Sequence, residues 1–180
     1  MVDSELRRGK QIGLRPITAA DASPQYLAWL NDHEINRYLE SRFGVHTIES
    51  LRLFLEETTA RDDILFFAMI ELESGRHVGN IKVGPVDSRH RTADLGLLIG
   101  EKDCWGRGYG TEAIRLATEL AFERLDLRKL TASCYGENAG SAAAFRKAGW
   151  TDEGRRPAQF LLDGEPQDQL LFGIVRDDSC

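Results

Sequence analysis

The chain has 180 residues, 42% of them hydrophobic and 29% charged, enough for one domain with a substantial core. Its formal net charge of −6 argues against nucleic acid as the main partner, and no run approaches the ~18 apolar residues of a membrane span. Cys104, Cys134 and Cys180 are odd in number and form no C-x-x-C, so no disulfide framework is expected and a cytoplasmic location fits.

Arg7-Arg8-Gly9-Lys10 is followed by no apolar stretch, so no export signal is expected. That basic cluster reads as part of a solvated N-terminal tail, residues 1–9, ahead of a single domain over residues 10–176. Cys180 stands last and is not placed for prenylation. Residues 11–15 alternate before Pro16 and predict a first strand. Thr18 to Asp21 leads into Tyr26, Leu27 and Leu30, spaced as one helical face, and residues 35–39 predict a second, short helix. Thr47 is placed to cap a third, with Glu49 in its first turn and Leu51, Phe54 and Leu55 on one face.

Residues 64–72 are apolar except for Glu71, which predicts a strand buried on both faces for most of its length. Ser74-Gly75 turns the chain into a third strand over residues 77–83, and residues 93–99 predict a fourth. Beyond a glycine-rich segment, Ala113, Ile114, Ala117, Leu120 and Ala121 share one helical face. Residues 130–135 predict a fifth strand, and Asn138 caps a helix through Lys147 that Gly149 ends. Trp150 begins a further strand, and Asp163-Gly164 forms the turn between residues 159–162 and 169–175. The order implies an α/β (α+β) single domain with a mixed sheet.

The glycine-rich segment, residues 105–113, carries the most chemistry. Gly106, Gly108 and Gly110 alternate with larger residues, and a helix follows at once. Glycines so spaced let successive N–H groups point into one concavity, and the helix adds its own unpaired N–H groups and positive dipole end. Such a place binds a phosphate or pyrophosphate. Thr111 stands where a dinucleotide fingerprint needs its third glycine, and no G-x-x-x-x-G-K-[ST] run exists. Taken alone, the segment is also compatible with a plain turn.

With these motifs in order, the chain resembles the GNAT superfamily of N-acetyltransferases. Within it the chain is similar to the branch of ribosomal-protein N-terminal and surface-sugar acetyltransferases. The shared features are Leu14-Arg15-Pro16, Trp29-Leu30-Asn31-Asp32, Gly79-Asn80-Ile81, Leu95-Gly96, the segment 105–113, and Asn138-x-x-Ser141 with Phe145-x-Lys147-x-Gly149-Trp150. The resemblance implies a mostly antiparallel sheet flanked by helices, with a V-shaped cleft between the fourth and fifth strands.

It also implies acetyl-CoA as donor. Arg107, Gly108, Tyr109, Gly110 and Thr111 would hold its pyrophosphate through backbone N–H groups, with Arg107 adding charge. Trp105 stands where the family usually has Gln or Arg, and reads as a core or cleft-wall aromatic. Asn138 would meet the pantetheine arm, with Ser141, Phe145 and Lys147 on the far side. The fourth strand would carry a bulge, and Leu98 or Ile99 would turn a freed N–H to the thioester oxygen.

The remaining roles are thinner. Asp94 is the candidate base through water. Phe145 stands where many family members have a tyrosine that protonates the thiolate, which leaves Tyr135 or Cys134 near the cleft, or no acid at all. His33, His46, His77 and His90 show no H-x-x-x-H spacing, so no metal site is expected. Tyr38, Glu40 and Arg42 are the candidate acceptor-binding residues. Arg37, Arg42, Arg89 and Arg91 would suit a nucleotide diphosphate.

The reading that results is an acetyl-CoA-dependent N-acetyltransferase acting by direct attack of a primary amine on the donor. A nucleotide-linked amino sugar comes before a protein α-amine, a polyamine or another small amine, and a homodimer through an exposed sheet edge is allowed. A CoA-binding module without catalysis is the reading from another class, encouraged only by the absent tyrosine.

Overall fold

The structure, a computed structural model, describes residues 6–177, so Cys180 lies outside the described residues. The strands are β1 (Arg7–Arg8), β2 (Ile12–Pro16), β3 (Leu65–Glu71), β4 (His77–Val83), β5 (Thr92–Ile99), β6 (Lys129–Tyr135), β7 (Thr151–Leu162) and β8 (Glu165–Val175). They form one eight-stranded sheet in the order β1-β2-β3-β4-β5-β6-β8-β7. Part of the stretch expected as a tail thus joins the sheet edge, with Arg7 opposite Leu14 and Arg8 opposite Gly13. The fourth and fifth expected strands are β5 and β6.

Neighbouring strands are antiparallel except β5 and β6, which run parallel. A parallel neighbour needs a crossover, and helix α3 (Tyr109–Arg124) supplies it. The parallel pairing spans only Thr92–Asp94 against Lys129–Thr131, whereas β5 runs on to Ile99 and β6 to Tyr135. From Leu95 onward β5 keeps a partner on its β4 side alone.

Helices cover both faces. On one, α3 and α4 (Ala139–Lys147) bury Ala113, Ile114, Ala117, Leu120 and Ala121 with Ala142 and Phe145 against Leu14, Met69, Ile81, Leu95 and Leu130. Each large side chain so buried is worth about 1.5–3 kcal/mol. On the other, α1 (Pro24–Asn31) and α2 (Ile48–Thr59) bury Tyr26, Trp29, Leu30, Leu51 and Leu55 against Ile17 and Ala68. The Thr47 cap forms as expected, its hydroxyl accepting from the Ser50 N–H while the Ser50 hydroxyl accepts from the Thr47 N–H. No helix among the described residues is long and apolar enough to cross a membrane.

Residues 35–39 are turns and not a helix. Asp32 accepts from the N–H of Glu34 and of Ile35, an Asx-type turn that competes with helix, and a short 3-10 turn follows at Glu40–Phe43. The Asp163-Gly164 turn forms with both residues at positive φ, as a two-residue hairpin demands. The strand entering it is longer than expected, running from Thr151 with register shifts between Asp152 and Gly154 and between Arg156 and Phe160.

Candidate functional site

A cavity of about 1850 Å³ opens where β5 and β6 part, and it takes its walls from both faces of the sheet. One end meets the first turns of α3 and α4; the other meets residues 34–41, the start of α2 and the ends of β6 and β7.

The glycine segment forms the first end. Gly106 and Gly108 take φ of 74° and 86°, in the left-handed region where a side chain is strained, and Gly108 is the N-cap of α3. No side chain caps the helix. Among the described residues, the N–H groups of Arg107, Gly108, Tyr109, Gly110 and Thr111 find no acceptor on the protein. With the positive end of the helix dipole, these free N–H groups make the segment a candidate anion site. A Cβ at Gly110 would meet Leu97 and Ile99 at ordinary contact distance, so the helix start lies close over β5.

Two side chains depart from expectation. Arg107 is not turned outward: its guanidinium bonds Glu71 at 3.1 Å, since the lone buried carboxylate in an apolar strand needs a cation. The Tyr109 hydroxyl also donates to Glu71, at 2.6 Å. Their backbones remain in the cradle while their side chains anchor it from behind.

Sequence reasoning missed Glu71 as a functional residue, although a single charge in residues 64–72 was the visible signal. Bonds from Ser74, Tyr109 and Arg76 hold its carboxyl at about 2, and the bond to Glu71 pushes the Tyr109 phenol up to about 12. A depressed carboxylate contributes its full stability above its ordinary value near 4.5 and loses it as pH falls towards 2. Glu71→Gln is therefore expected to lower Tm by several degrees at pH 7, with the gap to wild type closing between pH 4.5 and 2. A gap that persists unchanged at pH 2 would contradict this.

The bulge that the resemblance implies in the fourth strand is absent from its pairing. β5 runs in register with β4 from Leu95 opposite Val83 to Ile99 opposite Gly79. The Gly84 N–H donates to the Asp94 C=O at one end, and the Gly100 N–H to the Val78 C=O at the other. Antiparallel alternation then turns the backbone groups of Gly96 and Leu98 toward β4, and those of Leu97 and Ile99 into the parting. Leu98 is thus corrected as an N–H donor to the cleft; Ile99 keeps that position and Leu97 joins it. Trp105, 40% exposed, is a cleft-wall aromatic whose Nε1 donates to the Ile99 C=O at 3.0 Å.

Asn138 caps α4, its Oδ1 accepting from the Ser141 N–H at 3.1 Å, and both residues line the cavity. Lys147 is exposed at the same end, with Arg8, Lys10 and Arg115. Phe145 is only 1% exposed, stacked on Phe172 with centroids 5.3 Å apart, so its ring belongs to the core more than to the cleft. Cys134 is buried, which pushes its thiol up.

At the other end the Tyr135 hydroxyl donates to Glu40 at 2.5 Å. Its ring stacks on Phe160 at 4.3 Å, and Tyr38 lies at 5.7 Å. Burial first, and then the Glu40 bond, raise its phenol above the ordinary 10. Arg42 lies over the Tyr135 ring at 5.2 Å and bonds Glu40 and the carbonyls of Leu39 and Leu161. The structure thus brings Tyr38, Glu40 and Arg42 together, and Tyr38 and Glu40 line the cavity.

Asp94 is not. It sits where β5 and β6 still pair, bonded to the Thr131 hydroxyl, four residues or about 13 Å along the strand from Leu98, and does not line the cavity. Nor do the arginines converge. Arg37 pairs with Asp163 at 3.3 Å and Glu137 at 3.8 Å, Arg91 pairs with Asp126, and neither Arg89 nor Arg91 lines the cavity.

Residues 11–151 match a family model described as an acetyltransferase (GNAT) domain. The "Probable N-acetyltransferase YjcK" of Bacillus subtilis (strain 168) is 26% identical over 181 residues, covering 95% of this chain and 97% of its own. Among solved structures, spermidine N-acetyltransferase from Vibrio cholerae, in complex with CoA and spermine, superposes with a TM-score of 0.81 at 20% identity, over 93% of this chain and 96% of that one. RimL, a ribosomal L7/L12 alpha-N-protein acetyltransferase in complex with coenzyme A, gives 0.82 at 16% identity, over 96% and 99%. These structural likenesses speak for the fold.

Proposed function

The chain belongs to the GNAT acetyltransferase family and is an acetyl-CoA-dependent N-acetyltransferase, and from that premise we propose that its acceptor is an amine of low basicity, a peptide-like α-amine first. The observation that carries this is the composition of the acceptor end. Glu34, Glu40 and Glu137 line it with Tyr38, Tyr135 and Phe160, and they pair with Lys102, Arg42 and Arg37 in turn. An aromatic mouth whose arginines are held in this way suits an amine better than a nucleotide diphosphate.

The energetics agree. Asp94 lies away from the cavity, and the carboxylates that line it, Glu34, Glu40 and Glu137, are each paired with a cation, so an acceptor that loses its proton cheaply suits the site. An α-amine near pKa 8 costs about 1 kcal/mol to deprotonate at pH 7, and a lysine-like amine about 4–5. RimL, whose fold the chain shares, is an α-N-protein acetyltransferase, an enzyme of the same acceptor class.

The donor supplies an acetyl group already activated as a thioester. The cradle over Arg107 to Thr111 would hold its pyrophosphate and Asn138 its pantetheine arm, and the N–H of Leu97 or of Ile99 would stabilise the oxygen on which negative charge develops. Tyr135 Oη holds a proton beside Glu40 on the acceptor side.

An amino sugar is the competing acceptor, because the stacked Tyr135 and Phe160 rings offer a sugar a flat apolar wall. CoA release measured with a tripeptide amide bearing a free α-amine, an amino-sugar nucleotide and spermidine separates the readings. The peptide is expected to give the highest kcat/KM. A higher value for the amino-sugar nucleotide would replace the α-amine reading.

A further inference from the structure

We propose that Asn80 is a specificity-determining residue whose Nδ2 donates to an oxygen of the acceptor, so that the enzyme selects amines carrying an oxygen on the carbon next to the amine-bearing one. This rests on the acceptor reading above and deepens it.

Asn80 is 3% exposed and lines the cavity. His77 Nε2 lies 2.8 Å from its Oδ1 and 3.0 Å from the Gly79 C=O. A carbonyl only accepts, so Nε2 carries the proton and the amide turns Oδ1 towards it. His77 is itself fixed, packed edge-on against Trp29 at 5.1 Å and Tyr26 at 6.1 Å. Burial lowers its pKa, which keeps the ring a one-proton donor at neutral pH. The outcome is an oriented amide whose Nδ2 finds no acceptor on the protein. A buried donor without a partner is costly, and this one belongs to a residue of the cavity wall, where an oxygen of a bound acceptor would complete it.

Its position names that ligand. Asn80 pairs with Ala68 on one side and Leu98 on the other, and both neighbours pack under α1 and α2. The Asn80 side chain therefore faces the acceptor side of the sheet. The pairing of Asp94 with Thr131, extended four residues, brings Tyr135 opposite Leu98. Asn80 thus lies one strand spacing, about 4.8 Å, from β5, on the side away from the parting, while Tyr135 stands across the parting in the extended register. An acceptor that reaches the parting over this face of β5 would bring the carbons beside its amine towards Nδ2. Peptide α-amines and amino sugars both present N–C–C–O there. A polyamine presents only methylenes.

The test uses Asn80→Leu, similar in volume and without the donor, with Asn80→Ala as a second variant that removes the same group. Acceptors are the tripeptide amide, glucosamine and spermidine. The expected result is a KM about ten-fold higher for the oxygen-bearing acceptor, with less than two-fold change for spermidine. Acetyl-CoA affinity by calorimetry should not change, and Tm should hold or rise in Asn80→Leu because an orphan donor is gone.

Loss on the peptide alone identifies the α-amine. Loss on glucosamine alone replaces the α-amine by a sugar and leaves the Asn80 donor standing. Equal loss on all three acceptors, or on none, overturns the Asn80 proposal, as does wild-type turnover of spermidine alone. Wild-type turnover of no acceptor would sink the acceptor reading itself. Titrating the same amines into the CoA complex of wild type and variant then reads the Asn80 contact directly, and equal binding by both overturns it.

Discussion

Gly108→Asp is expected to raise the Kd for acetyl-CoA by two orders of magnitude or more while the protein stays folded. Gly108 caps α3 at φ 86° and ψ 0°, and the nearest atom to a Cβ there is the Gln11 amide nitrogen at 4.0 Å. The space is open, so the cost to the free protein is the left-handed backbone, about 1–2 kcal/mol for an ordinary residue and less for aspartate. Aspartate is also a favoured N-cap, which offsets part of that strain.

Binding has no such compensation. A carboxylate about 4 Å from each phosphate charge costs about 1 kcal/mol per pair in water and about 4 at an effective dielectric of 20. Two phosphates double the figure, and the aspartate also takes for itself the helix N–H groups the pyrophosphate needs. Gly108→Ala separates the two effects, since it carries the backbone strain without the charge. Calorimetric titration with acetyl-CoA, beside thermal melts, checks both variants. An aspartate variant that binds like the alanine one would show that the pyrophosphate lies elsewhere.

The left-handed glycines and the open start of α3 were legible in the sequence because glycine spacing fixes backbone geometry directly. The faces of α3 and the caps at Thr47 and Asn138 were legible for a related reason: they depend on neighbours three or four residues away. What depended on long-range pairing was not. Leu98 and Ile99 differ by one position, and one position in a strand exchanges the β4 side for the open side. Only the Gly84 and Gly100 hydrogen bonds decide between them.

Asp94 was near the right strand but at its closed end, a distinction set by where β6 stops pairing. Arg107 illustrates the same limit, for its partner Glu71 lies 36 residues earlier in the chain. The charge of the acceptor end follows from the pairing of Arg37 with Glu137 and Asp163, which the sequence holds a hundred residues or more apart.

Tyr135→Phe is expected to lower kcat by about 10²-fold with no change in acetyl-CoA affinity. Phe145 removes the usual acid from α4, and its ring is locked against Phe172 and Trp150. Tyr135 lines the cavity on the β6 side of the parting, and Phe160, Tyr38 and the bond to Glu40 hold its hydroxyl in one orientation. Its pKa lies above 10, so the phenol keeps its proton throughout the working range. The pH profile should therefore rise with deprotonation of the acceptor amine and show no alkaline fall below pH 10.

Deleting only the hydroxyl leaves the ring stack intact, so folding and acceptor KM should hold while kcat falls. A leaving thiolate of pKa ~8.5 limits the loss, which is why the expected factor is nearer 10² than 10⁴. Glu40→Gln should behave differently. It keeps the phenol and removes a carboxylate from the mouth, so acceptor KM should rise more than kcat falls. If Tyr135→Phe instead raises KM at unchanged kcat, Tyr135 is a wall of the acceptor site and the thiolate leaves without an acid.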